Sequence, residues 1–104
     1  MELTPRQVFD RIDSVQLVDV REAEELSDGM IPGAQHIALG FVPYRYEELD
    51  RSRPVVVVCR SGRRSAAAAD HLVHAGFMAD TMAGGMIEWQ ATGLPVVAPL
   101  PHQN

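Results

Sequence analysis

The chain has 104 residues, 46% of them hydrophobic, and a net charge of −5 at pH 7. This length provides one domain with one core, and the acidic balance argues against nucleic acid or an anionic membrane as partners, because both bind basic surfaces. All nine basic residues are arginine, which excludes lysine chemistry such as Schiff-base formation or a P-loop lysine.

The first eleven residues contain no apolar signal core, and no run of the sequence approaches the roughly 20 apolar residues of a membrane span. We therefore expect a soluble cytoplasmic protein. Cys59 is the only cysteine, so the chain can form neither an internal disulfide nor a cysteine-based zinc site. His71 and His74 have helical spacing, but no third metal ligand is evident. We expect neither a metal nor a cofactor.

The predicted elements alternate between helices and strands. Thr4 and Gln7 match a capping box, and the unbroken valine run at 55 to 58 is typical of a parallel strand buried on both faces. In chain order we predict a helix at 5–12, a strand at 16–20, an exposed helical turn at 21–26, a short strand at 36–38, helical turns and a loop within 41–52, a strand at 55–58, a helix at 65–75, a strand at 79–83, a short helix within 84–93 and a flexible tail from about 97 to 104. This alternation, at spacings too long for hairpins, predicts a single α/β domain over residues 1–104 with helices on both faces of a parallel sheet.

The strongest chemical signal is the predicted strand-to-helix turn CRSGRR, which begins at Cys59. In an open α/β sheet, ligands bind beyond the carboxyl ends of the strands. Gly62 tolerates a positive φ, so the backbone amides of this loop can curl around the sulfur. These amides, the helix dipole and the guanidinium groups of Arg60, Arg63 and Arg64 should lower the thiol pKa. We predict a thiolate nucleophile that attacks an anionic substrate with an anionic leaving group.

Two purely structural interpretations compete with this one. A lone cysteine at the end of a hydrophobic strand is often a small buried hydrophobic side chain. The three arginines can instead spread over an exposed loop without any ligand. Their clustering favours an anion site, because guanidinium groups that converge repel one another unless an anion binds between them.

With these residues in view, the chain resembles the rhodanese family, the thiosulfate sulfurtransferases, over nearly its full length, in the form of a single-domain member. The segments that carry the resemblance are LVDVRE at 17–22, GMIPGAQHI at 29–37, VVVVCRSGRRSA at 55–66 and MAGGMIEWQATGLPV at 82–96. The resemblance implies a rhodanese-like fold with five parallel strands flanked by helices, and a persulfide mechanism. The Cys59 thiolate would take the outer sulfur of thiosulfate, release sulfite and pass the sulfur to cyanide or a thiol. Because the chain has no second cysteine, the acceptor must come from outside.

The resemblance also assigns roles within the loop. Arg60, Arg63 and Arg64 are candidates to bind the sulfonate end of the donor, and Arg64 is expected to point inward. The terminal sulfur would receive hydrogen bonds from the backbone amides of Ser61, Gly62, Arg63, Arg64 and Ser65. The Ser65 hydroxyl is also a candidate helix cap.

Residues outside the loop match the family as well. Asp19 and Arg21 resemble a segment that braces the active loop, and an ordinary ion pair at a strand end is an equal alternative. Gly84, Gly85 and Trp89 match the family's GG and W positions, and we expect Trp89 to pack in the core. The sequence departs from the family at Met30, where a histidine is common.

Two other functions remain open. A phosphatase or arsenate reductase of related fold would need five residues between cysteine and arginine, whereas Arg64 comes one position early and Ser65 occupies the sixth, and this shorter loop favours a sulfur atom over a phosphate group. A binding module that receives persulfide sulfur from a protein partner, or docks onto one, without turning over thiosulfate itself would keep the same cysteine and arginines. The acidic segment 22–28 is a hypothetical docking face, and a solvated surface is the simpler interpretation.

Overall fold

A computed structural model describes residues 1 to 99 as a five-stranded, fully parallel sheet covered by helices. The strands are β1 (Glu2–Leu3), β2 (Gln16–Asp19), β3 (Gln35–His36), β4 (Val55–Val58) and β5 (Ala79–Met82), and their spatial order is β1-β5-β4-β2-β3. This arrangement confirms the predicted α/β class and the number of strands that the family resemblance implied. It places β4 at the centre of the sheet, so the residue that follows β4 lies at the middle of the carboxyl edge.

Within residues 1–99, four α-helices cover the two faces of the sheet, together with three short 3₁₀ segments at Ala23–Asp28, Leu39–Phe41 and Tyr46–Glu48. The helices are α1 (Pro5–Asp10), α2 (Val42–Arg45), α3 (Arg63–His74) and α4 (Gly85–Ala91). The Thr4 side chain accepts from the Gln7 amide, and the Gln7 side chain accepts from the Thr4 amide, which confirms the predicted capping box. None of the helices in this part of the chain is long and apolar enough to span a membrane.

The alternation of side chains along β4 divides the interior into two cores. Val55, Val57 and Cys59 point to a core that includes Leu72 of α3. Val56 and Val58 point to a second core that includes Trp89 of α4. Every residue from 55 to 59 is therefore buried, as expected for the central strand of a sheet with helices on both sides.

Three local features differ from the sequence-based expectations. The edge strand β1 has only two residues, too few to produce a recognisable pattern. Helix α3 begins at Arg63 instead of Ser65, which shortens the preceding loop. An antiparallel bridge joins Met30 to Val97, the first residue of the predicted tail, through two backbone hydrogen bonds of 2.8 Å. The rest of that tail from residue 100 lies outside the described residues.

Candidate active site

The site begins with the chain reversal between β4 and α3. Three residues, 60 to 62, connect Cys59 at the end of the strand to Arg63 at the start of the helix. Gly62 is the N-cap of α3 and has φ +104°, a conformation that L side chains rarely adopt. This glycine allows the backbone to turn back over the cysteine within one short loop.

The turn aims polar groups at the sulfur. The Gly62 amide donates to Cys59 Sγ at 2.9 Å, and Ser65 Oγ lies 3.6 Å from the same sulfur. Ser65 is fully buried, and its hydroxyl accepts from the thiol while it donates to the Gly62 carbonyl oxygen at 3.0 Å. When the thiol ionises, the hydroxyl can rotate and donate to the sulfur instead. The residue Cys59 is 1% exposed, so the sulfur lies inside the loop and borders the core beside α3.

The pKa of the Cys59 thiol reflects two opposing effects. Burial raises the pKa, because a buried thiolate loses its hydration. Hydrogen bonds from the Ser65 side chain and from the amides of Ser65, Gly62 and Ser61 lower it, because they stabilise the anion. The hydrogen bonds prevail, and the pKa lies below that of an ordinary cysteine.

The first turn of α4 holds the loop from behind. The Met86 amide donates to the Cys59 carbonyl oxygen at 2.8 Å, and the Ile87 amide donates to the Arg60 carbonyl oxygen at 3.0 Å. Gly85 has φ +57°, and a Cβ there would clash with the carbonyl oxygens of both Cys59 and Arg60. Gly85 therefore permits a close contact between α4 and the cysteine loop, whereas a Cβ at Gly84 would meet the side chain of Glu88.

The three arginines of the loop do not share one environment. Arg60 and Arg63 are exposed, and neither makes an ion pair or a side-chain hydrogen bond with residues 1–99. Arg64 is partly buried and donates to both carboxylate oxygens of Glu25 at 2.9 Å. Arg64 is the arginine that the family resemblance predicts to point inward. In the structure its guanidinium group forms a two-pronged ion pair with Glu25.

Asp19 and Arg21 form a buried ion pair at the end of β2. Arg21 Nη2 lies 2.7 Å from Asp19 Oδ2, and both side chains are at most 2% exposed. Arg21 also donates to the carbonyl oxygens of Glu25 at 3.2 Å and Gly29 at 2.8 Å. The pair thereby fixes the 3₁₀ segment Ala23–Asp28, and the contact between Glu25 and Arg64 connects that segment to the first turn of α3.

Glu25 is the residue of this site that sequence reasoning missed. Its backbone oxygen binds Arg21, while its carboxylate binds Arg64 and accepts from the Glu22 amide at 3.0 Å. Hydrogen bonding to Arg64 lowers the pKa of Glu25, which keeps its carboxylate charged. The sequence of the acidic run at 22–28 favours a solvated face, because no local signal distinguishes Glu25 from its exposed neighbours.

Other matched positions are mainly structural. Trp89 is fully buried, as expected, and its indole N–H donates to the Pro95 carbonyl oxygen at 2.9 Å. Met30 is 8% exposed and pairs with Val97 through its backbone. His71 packs edge-on against Tyr46, while His74 contacts Asp70. Across residues 1–99 no three potential ligands cluster in a way that would hold a metal ion.

Comparisons with known proteins agree with this architecture. The family model of the rhodanese-like domain matches residues 4–92. A sulfurtransferase of Allochromatium vinosum is 41% identical over 88 residues, which cover 84% of this chain and 82% of that protein. The thiosulfate sulfurtransferase GlpE of Actinobacillus succinogenes is 33% identical over 98 residues, with coverage of 91% and 88%.

The crystal structure of a rhodanese-related protein from Thermoplasma volcanium superposes with a TM-score of 0.90 at 30% identity, and covers 94% of this chain and 98% of that one. The family model, the named sulfurtransferases and this crystal structure each match most of the chain. The chain therefore belongs to the rhodanese-like domain family, whose relatives compared above include named sulfurtransferases.

Proposed function

We propose that the protein is a sulfurtransferase in which the Cys59 thiolate carries sulfur as a persulfide. The observation that supports this most directly is the 2.9 Å contact from the Gly62 amide to Cys59 Sγ. A cysteine that served only to fill the core would not need a backbone donor directed at its sulfur, since a thiol is a weak hydrogen-bond acceptor. The lowered pKa of Cys59 has the same cause and favours the nucleophilic form.

The proposed reaction has two steps. In the first, the Cys59 thiolate attacks the outer sulfur of thiosulfate, the S–S bond of the donor breaks, and sulfite leaves with the bonding electron pair. One anion and one dianion give a persulfide anion and sulfite, so charge is conserved. In the second, a nucleophile such as cyanide or a thiolate takes the terminal sulfur and restores the Cys59 thiolate. The acceptor comes from outside, because the chain contains one cysteine.

The loop supplies donors for the additional sulfur. The amides of Ser61, Gly62 and Ser65 already stabilise the thiolate, and they are the proposed ligands of the persulfide anion. Among the arginines, Arg60 and Arg63 are exposed and are the proposed contacts for the sulfonate end of the donor. Arg64 is bound to Glu25, so it would have to leave that partner to bind the donor.

A second candidate function rests on the low exposure of Cys59. At 1% exposed, the residue is poorly accessible to a donor that diffuses in solution. A protein partner that displaces the loop, and delivers or removes sulfur directly, would overcome this barrier. In that case the domain would act as a persulfide-receiving module and would turn over thiosulfate poorly.

The phosphatase alternative receives less support. Only four residues separate Cys59 from Arg64, and that arginine is bound to Glu25. A tetrahedral phosphate needs a wider ring of donors than a single sulfur atom does, and only residues 60 to 62 connect Cys59 to α3. Comparison of thiosulfate turnover with aryl-phosphate turnover distinguishes the two functions.

The decisive experiment is intact-mass measurement after incubation with thiosulfate and removal of the excess reagent. We expect a mass gain of one sulfur atom, which cyanide reverses with release of thiocyanate. Cys59→Ser, checked for its fold by circular dichroism, should show no gain. If the folded wild-type protein gains no sulfur from thiosulfate but does gain it from a persulfidated protein, the thiosulfate reaction is refuted and the module function is supported.

A further inference from the structure

The ion pair between Glu25 and Arg64 joins two parts of the chain that are 39 residues apart in sequence. Both nitrogen-to-oxygen distances are 2.9 Å, so the guanidinium binds both carboxylate oxygens in a two-pronged geometry that is common for arginine. The side chains are 32% and 27% exposed, so water screens the pair only in part. Hydrogen bonding to Glu25 raises the pKa of Arg64, and Cys59 raises it further through its charge, which places Arg64 within electrostatic reach of the sulfur.

Glu25 cannot easily move away from this position. Its backbone oxygen accepts from Arg21, which is itself held by the buried carboxylate of Asp19. Its Oε2 also accepts from the Glu22 amide at 3.0 Å. The carboxylate is therefore anchored on the 3₁₀ segment Ala23–Asp28, and Arg64 reaches towards it from the first turn of α3.

This arrangement limits the positive charge that the loop offers to a ligand. A thiolate with a dianionic donor beside it brings three negative charges into one small site. Arg60 and Arg63 are exposed, so water screens part of the charge that each brings to the sulfonate end of the donor. Arg64 is the partly buried cation near the sulfur, and its charge is neutralised by Glu25.

We propose that Glu25 is a specificity-determining residue of this site, which holds Arg64 away from the donor and thereby favours donors with one negative charge over dianions such as thiosulfate. The proposal rests on the proposed sulfurtransferase function and defines the class of substrate. Glu25 acts through Arg64, so it is a positioning residue and takes no part in the transfer of sulfur.

Two donors of nearly equal shape test the proposal. Methanethiosulfonate carries a methyl group where thiosulfate carries one of its oxygens, so it has one negative charge instead of two. Attack by Cys59 on its outer sulfur gives the same persulfide and releases methanesulfinate in place of sulfite. We expect Glu25→Gln to lower KM for thiosulfate about three- to tenfold, the range expected for one partly screened charge, and to change KM for methanethiosulfonate much less.

Two further variants show whether the effect belongs to this ion pair. Glu24→Gln removes an equal charge from the preceding residue, which is exposed and makes no ion pair with residues 1–99. This control should leave the preference between the two donors as in the wild type. In the double variant with Glu25→Gln and Arg64→Gln, KM for thiosulfate should no longer be lower than that of the wild type. Three outcomes would each overturn the proposal. They are an equal change in KM for both donors in Glu25→Gln, the same change in KM for thiosulfate in Glu24→Gln, and a KM for thiosulfate that stays low when Arg64 is also replaced.

A thiol titration separates this proposal from the proposed function. Glu25→Gln should lower the pKa of Cys59 further, because Arg64 then offers its charge to the thiolate, whereas Glu24→Gln should not. Thiolate absorbance measured against pH reports this shift even if the protein turns over neither donor. An unchanged titration in Glu25→Gln would refute the role of Glu25, and failure of sulfur uptake with a shifted titration would refute only the sulfurtransferase function.

Discussion

Cys59 combines two environments that usually exclude each other. The residue is 1% exposed and packs with the aliphatic side chains beside α3, and yet its sulfur receives the Gly62 amide at 2.9 Å. Burial alone would keep the thiol neutral, whereas directed donors favour the thiolate. The balance therefore depends on a few hydrogen bonds, of which the one from the Ser65 hydroxyl can be removed by substitution.

Ser65→Ala tests this balance at the level of one atom. The substitution removes the hydroxyl that lies 3.6 Å from the sulfur, so the pKa of Cys59 should rise towards that of an ordinary thiol. We also expect a loss of about 1 kcal/mol in the free energy of unfolding, because the bond from Ser65 to the Gly62 carbonyl is lost. The measurements are thiolate absorbance against pH and urea denaturation.

Ser61→Ala is the matched control for that experiment. Ser61 is exposed, its hydroxyl makes no hydrogen bond within residues 1–99, and its backbone amide remains after substitution. The pKa of Cys59 should therefore stay unchanged. If both serine variants shift the titration equally, the side-chain hydroxyl of Ser65 does not stabilise the thiolate.

At the scale of elements, the site lies where β4, α3 and α4 meet. The strand delivers Cys59 to the carboxyl edge of the sheet, and α3 folds its first turn back over the sulfur. The amides of Met86 and Ile87 at the start of α4 donate to the carbonyl oxygens of Cys59 and Arg60, the two residues that open the loop. The start of the loop is thus fixed by backbone hydrogen bonds, independently of its charged side chains.

Gly85→Ala should disturb this junction. A methyl group at this position meets the carbonyl oxygens of Cys59 and Arg60, and the residue must also keep φ +57°. We expect a loss of about 2–4 kcal/mol in the free energy of unfolding, from backbone strain and overpacking together, and a higher pKa of Cys59 as the loop loosens. Urea denaturation and the thiol titration measure the two effects.

Gly33→Ala separates strain from close contact. Gly33 has φ +83°, but no atom lies within 4 Å of a Cβ built there. The free energy of unfolding of this variant should fall by only about 1 kcal/mol, and the titration of Cys59 should stay unaltered. If Gly85→Ala and Gly33→Ala lower the free energy of unfolding equally, the close contact between Gly85 and the cysteine loop does not add to the cost of Gly85→Ala.

At the scale of the whole molecule, the ionisation of Cys59 is linked to folding. In the folded protein the pKa of the thiol is lowered from the value that it has in an unfolded chain, because directed hydrogen bonds outweigh burial. Between these two values the unfolded chain binds more protons, so stability rises with pH in this window. The contribution is fully present above about pH 8.5 and is lost as the pH falls through the folded-state pKa.

Cys59→Ser removes this titrating group while it nearly preserves the volume of the side chain. We expect the free energy of unfolding of the wild type to rise relative to that of Cys59→Ser as the pH approaches about 8.5 from below. Urea denaturation of both proteins, followed by the fluorescence of the buried Trp89, measures the difference. Parallel stability curves would show that the folded protein does not lower the pKa of Cys59.

Much of this molecule follows from local sequence. The unbroken valines of β4, the capping box at Thr4 and the turn CRSGRR each contain their own signal within a few neighbouring residues. Strand, turn and helix in that order place Cys59 at the carboxyl edge of a parallel sheet, because a right-handed crossover leaves few other arrangements. The class of fold and the position of the candidate nucleophile were therefore predictable.

Other features were decided only when distant segments met. Glu25 lies 39 residues from Arg64, and nothing in the acidic run around it indicates that this carboxylate alone finds an arginine. The edge strand β1 is two residues long and depends on β5 for its hydrogen bonds. The physical reason is that a local pattern reports backbone conformation and burial, whereas an ion pair between surface segments depends on the three-dimensional path of both. The sequence by itself therefore determined where the sulfur lies, and the tertiary structure decided which charges face it.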